Sequence, residues 1–90
     1  MQKCYHIFYT GQVQGVGFRY TTRALALKHN VCGWVKNCPG GGVQLYIHGE
    51  SKILEAFLND IDQEFKGYVH DTETKECTAD ETCTDFRIIF

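Results

Sequence analysis

No stretch of this sequence stays apolar for more than a few residues. A membrane-spanning helix needs about 20, so no segment reads as one. Between Met1 and Gly11 no apolar block is followed by small residues, and no secretory signal is read there. Basic charge is not in excess. Nine Lys and Arg against eleven Asp and Glu leave a formal net charge of -2, which argues against a nucleic-acid partner held by a strong basic field and against polybasic attachment to a membrane. Among the five cysteines, Cys4, Cys32, Cys38, Cys77 and Cys83, there is no C-x-x-C pair, so a redox dithiol or zinc knuckle is disfavoured. The odd count prevents complete pairing within one chain, and with no signal the expectation is a reducing, cytoplasmic setting with free thiols. In an oxidising compartment, the spacing of Cys77 and Cys83 would let them close a loop. His29 and Cys32 have ligand-like spacing but are two donors where structural zinc takes four, so no metal and no cofactor are expected. Internal repeats, linkers and low-complexity segments are also missing.

What is present is a balanced globular composition, 43% hydrophobic and 22% charged over 90 residues, which fits one domain spanning 1–90. Residues Cys4–Gly11 read as a strand, with Tyr5, Ile7 and Tyr9 on one side and His6 and Phe8 on the other. A helix is expected from Phe18 to His29, rich in helix formers and with cations in its last turn; Asn30 suits the left-handed position after it, with Val31 packing back. Gly33–Asn37 and Val43–His48 read as two strands of a hairpin around the turn Pro39-Gly40-Gly41-Gly42. Ser51 is the expected N-cap of a second helix, whose apolar stripe is Ile53, Leu54, Phe57, Leu58, Ile61 and Phe65, and Gly67 is its expected stop. Asp60, Asp62 and Glu64 read as a solvated acidic face. The polar, threonine-rich stretch from Tyr68 to Thr84 suggests an edge strand and loop, and Asp85–Phe90 a last strand.

The order β-α-β-β-α-β, plus a short terminal strand, predicts an α+β fold of the ferredoxin-like split βαβ type: an antiparallel sheet with both helices on one face. In that topology the first two strands run parallel, with the third between them and antiparallel to both. Their C-terminal ends share one edge, so the loop at 11–17 and Asn37 are predicted neighbours.

That loop, Gly11-Gln12-Val13-Gln14-Gly15-Val16-Gly17, carries three glycines in seven residues and leads into a helix. Such a turn aims backbone N–H groups at one spot beside the positive end of the helix dipole, a ready site for phosphate or carboxylate. Arg19 stands at the helix start, and its planar fork can grip two phosphoryl oxygens. The spacing is neither G-x-G-x-x-G nor a Walker loop. A tight turn with a surface arginine accounts for the same residues, and Asn37 alone reads as an ordinary turn asparagine or as a group that orients a water.

The run Gly11-Gln12-Val13-Gln14-Gly15-Val16-Gly17-Phe18-Arg19 resembles the G-x-V-Q-G-V-x-F-R signature of the acylphosphatases. Gly33-Trp34-Val35-Lys36-Asn37 resembles the family's second motif, G-x-V-x-N, and Val43–Glu50 and Asp85-Phe86-Arg87-Ile88 resemble segments that follow. The turn Cys38–Gly42 departs from the family's usual polar Asp/Asn-Gly turn, and Asn30 stands where a glycine is common. The resemblance implies a metal-independent hydrolase that splits acyl phosphates into carboxylate and inorganic phosphate. By motif, the backbone amides of Gln14, Gly15, Val16, Gly17, Phe18 and Arg19 would cradle the phosphate. Arg19 and Asn37 are the implied catalytic residues, the first neutralising the phosphate and the second holding the attacking water. The alternative is a non-catalytic phosphate- or carbamoyl-phosphate-binding module of the same fold. An RNA-binding module is disfavoured, because the charge is wrong and no RNP1-like aromatic pattern is present. The implied partner is a small-molecule acyl phosphate, or another anion in the loop, with no nucleic acid and no membrane. The polar edge after Tyr68 predicts a monomer.

Overall fold

Alternating side chains of two polarities make the first strand two-faced, and the rest of the sheet is assembled on it. The computed structural model describes residues 1–78 and 83–90. Along the chain it has β1 (Gln2–Gly11), α1 (Phe18–His29), β2 (Cys32–Asn37), β3 (Val43–Glu50), α2 (Ser51–Glu64), β4 (Val69–Glu76) and β5 (Phe86–Ile89). The strand order is β4-β1-β3-β2-β5. As the topology predicted, β3 lies between β1 and β2 and is antiparallel to both.

The sheet is mixed rather than purely antiparallel, because β5 runs parallel to β2. The reason lies in the direction of the chain. β4 runs opposite to β1 on one edge, so the chain must turn again before its last strand. It then travels in the same direction as β1 and β2, and docking beside β2 makes a parallel pair.

Ile7 and Tyr9 of β1, Val35 of β2, Val43, Leu45 and Ile47 of β3 and Phe86 of β5 are buried with Leu54, Phe57 and Ile61 of α2 and Phe18 and Ala26 of α1. Burial of these apolar side chains on one face, at about 25 cal/mol per Å², is the main force holding the helices to the sheet. Gly33 is required where β2 approaches β3: its φ is +149°, and a Cβ there would collide with the Tyr46 carbonyl. His6 and Phe8 point away from the helices, and their rings stack 4.9 Å apart.

Asn30 closes α1 in the left-handed conformation (φ 58°), its N–H donating to the Ala26 and Leu27 carbonyls, and Val31 is buried behind it. The second helix differs from expectation at both ends. Ser51 is its first helical residue rather than its cap, and the extended Glu50 precedes it. The helix stops before Gly67, with Phe65 as the capping residue. Ile53 lies at the margin of the apolar stripe and is exposed. The acidic face is not all free in solvent: Asp60 accepts a hydrogen bond from His29 of α1 at 2.7 Å, which pins the helices together and holds its carboxyl below the ordinary range.

The expectation of five free thiols is overturned. Cys4 is bonded to Cys77, with Cα atoms 5.1 Å apart. Tyr5 of β1 faces Glu76 of β4, so the next pair in the antiparallel register brings Cys4 opposite Cys77. The proposed Cys77–Cys83 loop is thereby ruled out in this structure. His29 and Cys32 also part company: His29 turns to Asp60, and the Cys32 thiol turns to His48. No helix among the described residues is long and apolar enough to cross a membrane. Of the segment from Tyr68 to Thr84, positions 79–82 lie outside the described residues.

Candidate active site

The loop between β1 and α1 is fastened at three points. At its start, the Gln12 N–H donates to the Tyr68 carbonyl at 2.8 Å. Val13 follows and is wholly buried. At its end, the Phe18 ring is buried against Tyr9 and Phe65, with centroids 5.0 and 4.5 Å away. Between these anchors the backbone must curl. Gly15 and Gly17 both have φ of +79°, and nothing lies within 4 Å of where a Cβ would stand at either. A side chain would therefore meet no atom, but the left-handed backbone itself disfavours one, and a Cβ would intrude on open space in front of the loop.

Gly17 is also the N-cap of α1. No side chain caps this helix and no acidic residue stands in its first turn. Among the described residues, the N–H groups from Gln14 to Arg19 donate to no protein acceptor. Unpaired N–H groups at a helix start carry a partial positive charge, so the loop offers donors that the protein does not itself satisfy.

Asn37 ends β2. It has the same parity as Gly33 and Val35, so its side chain points to the helix-bearing side of the sheet, toward the start of α1. Its Oδ1 is buried and has no hydrogen-bond partner. Leaving such a group unmatched costs about 1–3 kcal/mol, which marks the spot as one that a water or ligand completes. A cleft of about 250 Å³ is lined by Val13, Gly15, Gly17, Phe18, Arg19, Tyr20 and Asn37. The structure thus brings together the two motifs that the topology placed on one edge. The side chains of Gln14 and Val16 lie outside this lining.

Two contributions were not legible in the motifs. The Gln14 side chain crosses to the β2–β3 turn, where its Nε2 donates to the Cys38 carbonyl at 2.9 Å and the Gly42 carbonyl at 2.8 Å. It straps the loop to the residue next to Asn37. The turn it grips is closed on itself, since the Cys38 N–H donates to Gly42 at 2.8 Å and the Gly41 N–H to Cys38 at 3.2 Å. The unusual Cys38–Gly42 turn therefore serves as an anchor for the loop. The second contribution is aromatic. The Arg19 guanidinium carbon lies 5.1 Å from the Phe90 ring centroid and 5.9 Å from that of Tyr20. Arg19 forms no salt bridge among the described residues, leaving its charge available to an anion. No cluster of three or more His, Cys, Asp or Glu side chains among the described residues could hold a metal ion.

The sequence model of the acylphosphatase family matches residues 5–88. An acylphosphatase of Oceanobacillus iheyensis is 41% identical over 80 residues, covering 87% of this chain and 88% of the relative. The crystal structure of an acylphosphatase from Bacillus subtilis superposes with a TM-score of 0.89 at 34% identity, covering both chains completely. Full-length HypF, solved in its phosphate- and nucleotide-bound form, also contains this fold, with a TM-score of 0.83 at 27% identity, but the chain covers only 12% of it. The match to the Bacillus subtilis acylphosphatase thus covers both chains completely, whereas HypF is matched over a small part of its length. This chain belongs to the acylphosphatase family.

Proposed function

We propose that the enzyme hydrolyses acyl phosphates with the residues of this one cleft, within a single domain spanning 1–90. Family membership makes the chain a hydrolase of the carboxyl–phosphate anhydride bond. The N–H groups from Gln14 to Arg19 and the Arg19 guanidinium hold the phosphoryl oxygens. Asn37 accepts a hydrogen bond from the attacking water and turns the water's lone pair toward phosphorus. The bond from the water oxygen to phosphorus forms as the bond from phosphorus to the acyl oxygen breaks, and the electron pair leaves with the carboxylate. Among the described residues, those lining the cleft carry no carboxylate and no imidazole, and in this reading a phosphoryl oxygen takes the water's proton. Carboxylate is a good leaving group, and phosphoryl transfer asks the protein mainly for positioning and charge stabilisation.

The observation that carries this reading is the unpartnered Asn37 Oδ1 beside an uncapped helix start. A buried acceptor without a protein partner suits a water that stands beside the bound phosphoryl group. The test is hydrolysis of benzoyl phosphate in the presence of EDTA. The wild type turns over without added metal, and Arg19→Ala loses both turnover and inhibition by inorganic phosphate. A folded wild type that binds phosphate but hydrolyses nothing would favour the binding-module reading.

A monomeric state is supported by the outer edge of the sheet. On β4, residues His70 to Glu76 are exposed and mostly charged or threonine, a composition that discourages edge-to-edge pairing. The free thiols of Cys32 and Cys38 suit a cytoplasmic setting, whereas the Cys4–Cys77 bond suits an oxidising one.

A further inference from the structure

A second, more open hollow of about 440 Å³ shares Tyr20 with the cleft, and its lining includes Ile88 and Phe90 together with Arg23 and Arg87. Phe90 is 91% exposed and Tyr20 63%. Five other rings, Tyr9, Phe18, Phe57, Phe65 and Phe86, are buried in the core; Tyr68 is exposed as well, but Tyr20 and Phe90 both stand beside Arg19. Their placement is tied to the site. Ile88 and Ile89 pair with Val35 and Lys36, so the parallel register sets Phe90 level with Asn37. Both rings flank the Arg19 guanidinium. Tyr20 lines both the cleft and this hollow, so an acyl group extending from a phosphoryl group held by the loop has the hollow beside it.

We propose that Tyr20 and Phe90 form an acyl-group subsite, which favours flat, apolar acyl groups by stacking them beside Arg19. This rests on the reading that the 14–19 loop holds the phosphoryl group. The subsite makes the enzyme discriminate: an aromatic acyl phosphate gains ring contacts that acetyl phosphate is too small to make. The rings also stack on Arg19, so removing one can weaken every substrate alike. The informative quantity is therefore a ratio, kcat/KM for benzoyl phosphate over kcat/KM for acetyl phosphate.

Phe90→Ala and Tyr20→Ala are each expected to lower this ratio about fivefold, the size of one aromatic packing contact. Tyr20→Phe keeps the ring and should keep the ratio. Inhibition by inorganic phosphate, which has no acyl group, reports the part of any loss that passes through Arg19 and should shift by less than the benzoyl phosphate kcat/KM does in Phe90→Ala and Tyr20→Ala. An equal loss for both substrates would overturn the proposal, because the rings would then act only on Arg19. So would an unchanged ratio. Failure of inorganic phosphate to inhibit even the wild type would show that the loop reading, and the subsite built on it, are both wrong; a lost ratio with intact phosphate inhibition supports both.

Discussion

Gln14→Ala removes a single side chain that touches no substrate, and it should nevertheless slow the enzyme. In the structure its Nε2 makes two hydrogen bonds, at 2.9 Å to Cys38 and 2.8 Å to Gly42, that join the phosphate loop to the turn following Asn37. A typical hydrogen bond contributes about 1 kcal/mol net, so the strap is worth at most roughly 2 kcal/mol. The side chain is exposed, and water will take up the released carbonyls, which brings the expected loss nearer to about 1 kcal/mol. In a domain of this size that lowers the melting temperature by roughly 4–8 °C. The effect on rate follows from geometry: the strap fixes the distance between the N–H groups that hold phosphorus and the amide that holds the water. If its stabilisation is lost from the aligned arrangement, kcat/KM falls about five- to tenfold, since 1.4 kcal/mol is a factor of ten. Benzoyl phosphate hydrolysis measured beside a thermal melt is the assay. Lowered stability with unchanged kcat well below the melting temperature would refute the reasoning, because the strap would then be structural only. An unchanged melt and an unchanged rate would refute it too.

Two other outcomes concern stability. The Cys4–Cys77 bond spans 73 residues of sequence, and restricting the unfolded chain over a loop of that length is worth up to roughly 4 kcal/mol. Reductant should therefore lower the melting temperature of the oxidised protein, and thiol titration of that protein after unfolding should find two fewer reactive groups than in the reduced chain; identical melts with and without reductant would contradict this. Burial, helped by Lys75 and Lys36, holds the His6 imidazole below its usual 6.5, and Gln44 lies 2.6 Å from its Nε2. A depressed folded-state value means that the unfolded chain takes up the proton more readily. His6 therefore lends stability that is complete above about pH 6.5 and is lost as pH falls through the lower folded value. Melts at about pH 7.5 and about pH 5 should show a decline that His6→Gln reduces, and an equal decline in that variant would count against the assignment.

The local patterns in the sequence carried most of the fold. Helix α1 falls between a glycine and an asparagine that both adopt left-handed backbone, and such ends are visible in residue type alone. The expected strand order likewise foretold that Asn37 and the 11–17 loop share one edge of the sheet. What was not visible depends on contacts distant in sequence. The parallel docking of β5 is settled by which sheet edge is free after β4 has taken the other, and nothing within Phe86–Ile89 encodes that choice. Cys4 meets Cys77 because of the β1–β4 register, whereas spacing along the chain pointed to Cys83. Gln14 read as one more loop residue, because its role depends on two carbonyls more than twenty positions away. Glu50 displaced Ser51 as the cap because β3 continues to Glu50 and leads straight into the helix.

The central claim is that one cleft separates the two tasks: the loop and Arg19 bind phosphate, and Asn37 places the water. Asn37→Ala tests this most directly, with kcat and KM for benzoyl phosphate measured beside the inhibition constant of inorganic phosphate, all in EDTA. The account predicts that kcat falls about a hundredfold, as for loss of one well-placed polar group in an active site, while phosphate inhibits as in the wild type. A raised KM and weakened phosphate inhibition with kcat intact would contradict it, and would make Asn37 a binding group instead.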